Sequence, residues 1–318
     1  MTELQEELFD KLELLNGRLW EQKVKRQVIE RWLDNFDQQE GDNAESERDH
    51  ALFLLSQFVY FGLPEVRELL KALFRDHYQY PIVEEFRRGQ QDTLDLGAIR
   101  KHFKQELRGT RFLGMGNPAE SGTHLLYYFR QENRLSKSLF CTELDLVSGR
   151  YDDQETRLSD ESISRLVFID DFCGSGHQAK SYSGKLLGLL DDIAARSGVT
   201  LTTSYLVLVA MQDGIENVRN ETDFDHVAAV FELDETYKSL EPGARQFASA
   251  PAGIEMTKAR KLAEDYGNQL WPNHPLGYND SQLLLGFHHN IPDNALPILW
   301  WDEASDWNPV FPRYHKVY

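Results

Sequence analysis

The chain has 318 residues, 41% apolar and 27% charged, enough for one or two globular domains with a large core. No apolar run is long enough to span a bilayer, and the acidic start MTELQEELFDKLELL lacks a signal peptide's basic segment and cleavage site, so a cytoplasmic protein is expected. A formal charge of −18 argues against direct nucleic-acid binding, and two cysteines, Cys141 and Cys173, are too few for a disulfide framework.

Residues 1–107 read as a helical region. Leu4, Leu8, Phe9, Leu12, Leu15 and Leu19 recur at helical spacing, as do Val24, Val28, Ile29, Trp32 and Leu33. QQEGDNAESE (38–47) reads as a loop, and ALFLLSQFVYFG and LPEVRELLKALFRDHY as two apolar helices separated by Gly62–Pro64. All these stripes are expected to be helix packing, with contact to a protein partner or a homodimer as a further role for the region.

Residues 108–234 alternate strands and helices. TRFLGMG (110–116), KSLFCTEL (137–144), RLVFIDD (165–171), TLTTSYLVLVAMQ and HVAAVFELD read as strands. SGTHLLYYFRQEN, HQAKSYSGKLLGLLDDIAARSG and a short segment around IENVRN read as helices. The expected fold class is therefore α/β, a parallel sheet with flanking helices, whose ligands bind beyond the carboxyl ends of the strands. Residues 235–318 read as a smaller hood-like lobe with a helix at EMTKARKLAEDYGNQL and strands at LLLGF and LPILWW.

VFIDDFCGSGHQA (167–179) carries the clearest chemistry. Two carboxylates at the end of a buried strand are costly without a partner, and ribose hydroxyls with Mg²⁺ would supply one. Gly174, Ser175 and Gly176 then let successive N–H groups face one point at the start of the next helix, where the dipole favours an anion. The bland alternative is a solvated acidic turn that caps a helix.

This segment resembles the phosphoribosyl-pyrophosphate motif of type I phosphoribosyltransferases. The resemblance implies that Asp170 and Asp171 bind ribose hydroxyls and the metal. It likewise implies that Cys173, Gly174, Ser175, Gly176 and His177 wrap the 5-phosphate. GMGNPAESG (114–122) stands where the family holds pyrophosphate, which implicates Gly116, Asn117, Ser121 and Gly122. DLVSGRYDDQETRLSDES (145–162) stands where a flexible catalytic loop precedes the double-acid strand, with Arg150 and Arg157 as candidates for covering the leaving group. The family's loop usually ends in threonine where this chain has Gln178, a departure that bears on turnover more than on phosphate binding. More narrowly, the chain resembles the phosphoribosyltransferase-like proteins of bacterial conflict and phage-defence systems. WLDNF (32–36), SGTHLLYYFRQEN, VFIDDFCGSG, GFHHNIPDNALPILWW and FPR carry that likeness. The resemblance implies a ligand such as phosphoribosyl pyrophosphate or a related phosphorylated ribose or nucleotide, with Mg²⁺ as cofactor. The reaction expected is transfer or cleavage at the anomeric carbon; the alternatives are a phosphoribosyl-ligand sensor or protein-interaction module without chemistry and, third, a phosphate-loop nucleoside triphosphatase.

Other readings use the same residues. GSGHQAKS (174–181) is one residue from a nucleotide phosphate loop, with Ala179 in place of the second glycine and Lys180 in the lysine position. GMGNPA approaches a dinucleotide fingerprint, but Glu143 lies 29 residues beyond Gly114, more than the roughly twenty expected. Cys173 with His177 suggests a nucleophile and base. His288 and His289 suggest a metal, Asn290, Asp293 and Asn294 base recognition or turns, and Trp300, Trp301 and Trp307 stacking or core packing.

Overall fold

The computed structural model describes residues 2–36, 42–116, 121–148, 155–303 and 306–313. The chain forms two compact units, one made of Met1–Glu65 with Asp234–Tyr318 and the other of Val66–Leu233. The stretch 1–107 is thus divided between units, and its first part shares a unit with the C-terminal lobe. Periodicity reveals that a helix has an apolar face, not which distant segment covers it.

The first unit starts with α1 (Glu3–Arg18), opened by a reciprocal cap between Thr2 and Gln5 that satisfies two otherwise orphaned groups. Then come α2 (Arg26–Leu33), α3 (Asp42–Ser56) and β1 (Val59–Phe61). The segment ALFLLSQFVYFG is therefore only half helix, since Val59, Tyr60 and Phe61 are β-formers that pair with a distant strand.

The second unit begins within α4 (Leu63–Ala72). Leu73–Gln79 continue as a π-helical turn into α5 (Tyr80–Gly89). Pro81 offers no N–H to residue 77 and crowds its carbonyl, which accounts for the widened turn. After α6 (Leu96–Arg108), capped by Asp95, come β2 (Thr110–Gly114) and α7 (Ser121–Glu132). The expected strand at KSLFCTEL is absent. Two short 3₁₀ turns flank a single bridge between Phe140 and Phe112. Ser136 and the Thr142–Asp145 pair bond nearby backbone N–H groups, offering the chain a local alternative to the ladder. A short antiparallel ribbon follows, β3 (Val147–Ser148) with β4 (Arg157–Leu158). Then come β5 (Arg165–Cys173), α8 (His177–Arg196), β6 (Thr202–Met211), α9 (Gln212–Glu221) and β7 (His226–Leu233).

The main sheet has the order β2-β5-β6-β7, with every pair parallel. Its central strands are near-continuous apolar runs because both faces are covered. On one face Phe112 meets Phe129 of α7 and Phe74 and Tyr78 of the helix before the sheet. On the other, Leu166, Phe168, Tyr205 and Val207 pack with Leu186, Leu190 and Ile193 of α8 and with Ile215 and Val218 of α9. Gly184 and Gly188 lie exposed on α8 with nothing near an added Cβ. Either one changed to Ala should therefore stabilise the protein by roughly 1 kcal/mol, read as a higher denaturant midpoint.

Returning to the first unit, α10 (Met256–Leu270) precedes β8 (Leu285–Phe287), which pairs in parallel with β1. LPILWW is not a strand but a single helical turn, α11 (Pro297–Trp300), because Pro297 suits a first helical position. Trp32 is fully buried and its indole N–H donates to Ile298 O at 2.7 Å, joining the two ends of the sequence within this unit. Among the described residues no helix is long and apolar enough to cross a membrane.

Candidate functional site

β5 carries Asp170 and Asp171 near the carboxyl end of the sheet, 5% and 3% exposed. The Tyr205 hydroxyl, from β6, donates to Asp170 Oδ2 at 2.9 Å, and Asp171 N donates to Asp170 Oδ1 at 3.0 Å. Phe172 N donates to Asp171 Oδ1 at 2.9 Å. Burial first, and the adjacent Asp171 carboxylate second, push the Asp170 pKa well above the usual carboxylate range, against the pull of the Tyr205 and Asp171 N–H bonds. Burial likewise raises the Tyr205 hydroxyl, and Asp170 adds to it.

Cys173 closes the strand and is buried against Tyr205 and the α8 side of the core. Burial, reinforced by Asp170, pushes its thiol up to about 12, so the thiolate a nucleophile needs is not populated at neutral pH. His177 is exposed at the start of α8. Those two observations remove the Cys173–His177 reading, and Cys173 can serve a phosphate through its backbone only.

The turn Gly174–Gly176 is shaped by α9. Gly176 has φ +78°, where L side chains are strained, and a Cβ there would lie 2.6 Å from Gly214 O. Gly214 is tighter still, since a Cβ on it would sit 1.8 Å from Gly174 O. Asn217 Nδ2 donates to Ser175 O at 3.3 Å, and His177 N donates to Ser175 Oγ at 3.4 Å. From this turn the twenty-residue α8 departs without a side-chain cap from Gly176, leaving the positive end of its dipole at the loop.

Gly116, at φ +86°, ends the described part of the loop after β2. Asn117 and Arg150 lie outside the described residues, as does the side chain of Ser121. Gly122 is a packing glycine: a Cβ there would meet Met115 N and O at 2.8 Å and Ile169 O at 2.9 Å, so α7 starts hard against the ends of β2 and β5. The segment 145–162 forms the β3–β4 ribbon, whose tip at 149–154 lies outside the described residues. Its base is tied to α8 by Leu158 N donating to Ser197 Oγ at 2.9 Å and by the Tyr182 hydroxyl on Glu143. Lys180 pairs with Glu221 between α8 and α9, turned to a helix–helix contact rather than to the glycine turn.

Tyr205, Gly214 and Asn217 were not singled out from the sequence. Two of them left a signal there. A tyrosine within a buried aliphatic strand needs a partner for its hydroxyl, and a glycine inside a helical pattern marks a close approach.

In the first unit, Asn294 is buried and donates to Tyr278 O and Ser281 Oγ, and Asp293 pairs with Arg313. Asn290 N donates to Phe287 O in a turn. Trp300 is core, and Trp301 and Trp307 pack against it. His288 and His289 face each other with Nδ1 atoms 3.3 Å apart, and among the described residues no group of three or more His, Cys, Asp or Glu is placed to hold a metal ion.

A family model, PRTase-CE, matches residues 29–313. No curated protein matches the chain. Among solved structures, an orotate phosphoribosyltransferase from Aeropyrum pernix is similar at 20% identity over 41% of this chain, with a TM-score of 0.23. The match spans 64% of that enzyme's length. The AQ2163 protein from Aquifex aeolicus is similar at 9% identity, covering 66% of this chain and 86% of its own, with a TM-score of 0.29.

Proposed function

The chain belongs to the PRTase-CE family and is phosphoribosyltransferase-like, and from that premise we propose that its second unit binds a phosphorylated ribose of the phosphoribosyl pyrophosphate class. One observation carries the reading. Two buried, mutually repelling carboxyl groups, Asp170 and Asp171, lead within three residues into a left-handed glycine turn at the start of a long helix. Carboxyl oxygens accept from ribose hydroxyls, and the glycine turn 174–176 at the positive end of the α8 dipole serves the 5-phosphate. Both carboxyl groups are hard oxygen donors of the kind Mg²⁺ prefers, and the ion would supply countercharge to phosphate oxygens.

The chemistry proposed is transfer or cleavage at the anomeric carbon, with the loop 114–122 next to the departing pyrophosphate and Arg150 covering it. A binding-only sensor is the second reading. It is favoured by Gln178, which stands where the family's phosphate loop usually ends in threonine. A cytoplasmic role in bacterial defence belongs to the same proposal and rests on the sequence likeness; phage plaque counts on a host carrying the wild-type chain or a pocket variant test it.

Calorimetric titration of phosphoribosyl pyrophosphate with Mg²⁺ tests the pocket. Saturable binding, competed by ribose 5-phosphate, is expected; no binding of any of these ligands would overturn the proposal. Triphosphate hydrolysis would need Lys180 at the phosphates, yet that ammonium is paired with Glu221. Lys180→Ala should therefore leave the titration within about twofold of wild type, the scale of an exposed ion pair.

A further inference from the structure

We propose that the chain self-associates by laying α6 of one copy antiparallel on α1 of another. This inference is independent of the ribose-phosphate pocket. The outer face of α6 is basic on a chain of net charge −18: Arg100, Lys101, Lys104 and Arg108 are all exposed around Gly97. The outer face of α1 is its opposite, with Glu3, Glu7 and Asp10 exposed and Leu14 61% exposed. Among the described residues none of these seven charged groups forms an ion pair. Their neighbours do: Glu13 pairs with Arg26 beside the α1 face, and Glu106, on another side of α6, pairs with Arg165.

The spacing of the two faces matches. Leu14, Asp10, Glu7 and Glu3 are separated by four, three and four residues, as are Gly97, Lys101, Lys104 and Arg108. Both rows follow one side of a helix over about 16 Å. An antiparallel arrangement sets Leu14 over Gly97, which carries no side chain of its own and lies beside the Asp95 carboxylate. Asp10 then meets Lys101, Glu7 meets Lys104 and Glu3 meets Arg108. The same orientation places the acidic N-terminus of α1 beside the basic C-terminus of α6, so the helix dipoles agree with the charges. Nucleic acid fits this face less well, because it offers Leu14 no counterpart and would approach a chain of net charge −18.

Sedimentation velocity on the full chain tests the pairing through charge exchange. Wild type should self-associate at about 0.1 M salt and dissociate toward about 1 M, as the Debye length falls from ~10 Å to ~3 Å. Lys101→Glu/Lys104→Glu and Glu7→Lys/Asp10→Lys should each weaken association at least ~10-fold, since like charges then face each other. An equimolar mixture of the two variants should associate again, an outcome that misfolding of either could not give. A monomeric wild type at low salt, variants that associate as wild type does, or a mixture that stays monomeric would each overturn the proposal. So would loss of duplex DNA binding in the α6 variant with no change in mass.

Discussion

Changing Asp170 and Asp171 together to Asn is expected to weaken phosphoribosyl pyrophosphate binding at least ~10-fold while leaving the fold intact, because a hydrogen bond from a ribose hydroxyl to a charged carboxylate is worth about 1.5–3 kcal/mol and the one to Asp171 is lost. The fold tolerates the change for a specific reason. An Asn at 170 keeps an oxygen for Asp171 N and presents an amide that donates to the Tyr205 oxygen, and an Asn at 171 still accepts from Phe172 N.

The same variant carries a pH signature. In the folded chain Asp170 holds its proton above the ordinary carboxylate range, whereas the unfolded chain releases it near ~3.9. The folded state therefore binds more protons as pH rises above ~4, and stability falls across that window until the folded group also titrates. The contribution is complete below the unfolded value. Asp170→Asn removes it, so the variant should be as stable as wild type or more so at neutral pH, with a flatter pH profile. Thermal melts over a pH series check this against the titration. Loss of binding together with unfolding would mean that the two carboxyls hold the strand rather than a ligand. Unchanged binding would dismiss the pocket.

Gly214→Ala is the second large effect, expected to cost about 3 kcal/mol or more, at the top of the overpacking range, and to abolish ligand binding. The added Cβ would stand 1.8 Å from the backbone oxygen of Gly174. A backbone atom cannot swing aside as a side-chain tip does, so either α9 lifts from the sheet or the glycine turn is displaced. Gly188→Ala is the matched control: the same chemical change, in open space on α8, with the opposite expected sign. Denaturant midpoints of both variants, with the phosphoribosyl pyrophosphate titration of each, decide the matter. A Gly214→Ala protein that melts and binds like wild type would show that α9 does not shape the turn.

The parallel core was legible because it is written locally. RLVFIDD and TLTTSYLVLVAM are apolar runs that only a sheet covered on both faces can bury, and both are strands. HQAKSYSGKLLGLLDDIAAR has an apolar row at helical spacing and is α8. The misreadings share a cause. KSLFCTEL and LPILWW are apolar and short, and at that length local caps and a proline outweigh the apolar pattern. FVYF becomes a strand only through its partner, β8, more than two hundred residues away in sequence.

By itself, then, the sequence determined the type of each long element and the order of acids, glycines and helix start along 167–179, since alternation, periodicity and turn chemistry act within a few residues. Tertiary structure alone decided that Asp170 would be gripped by Tyr205, that Gly214 would press on the glycine turn, that Lys180 would turn to Glu221, and that 1–65 would fold with 234–318. Each depends on which distant surfaces meet, and burial and charge coupling have no value until they do.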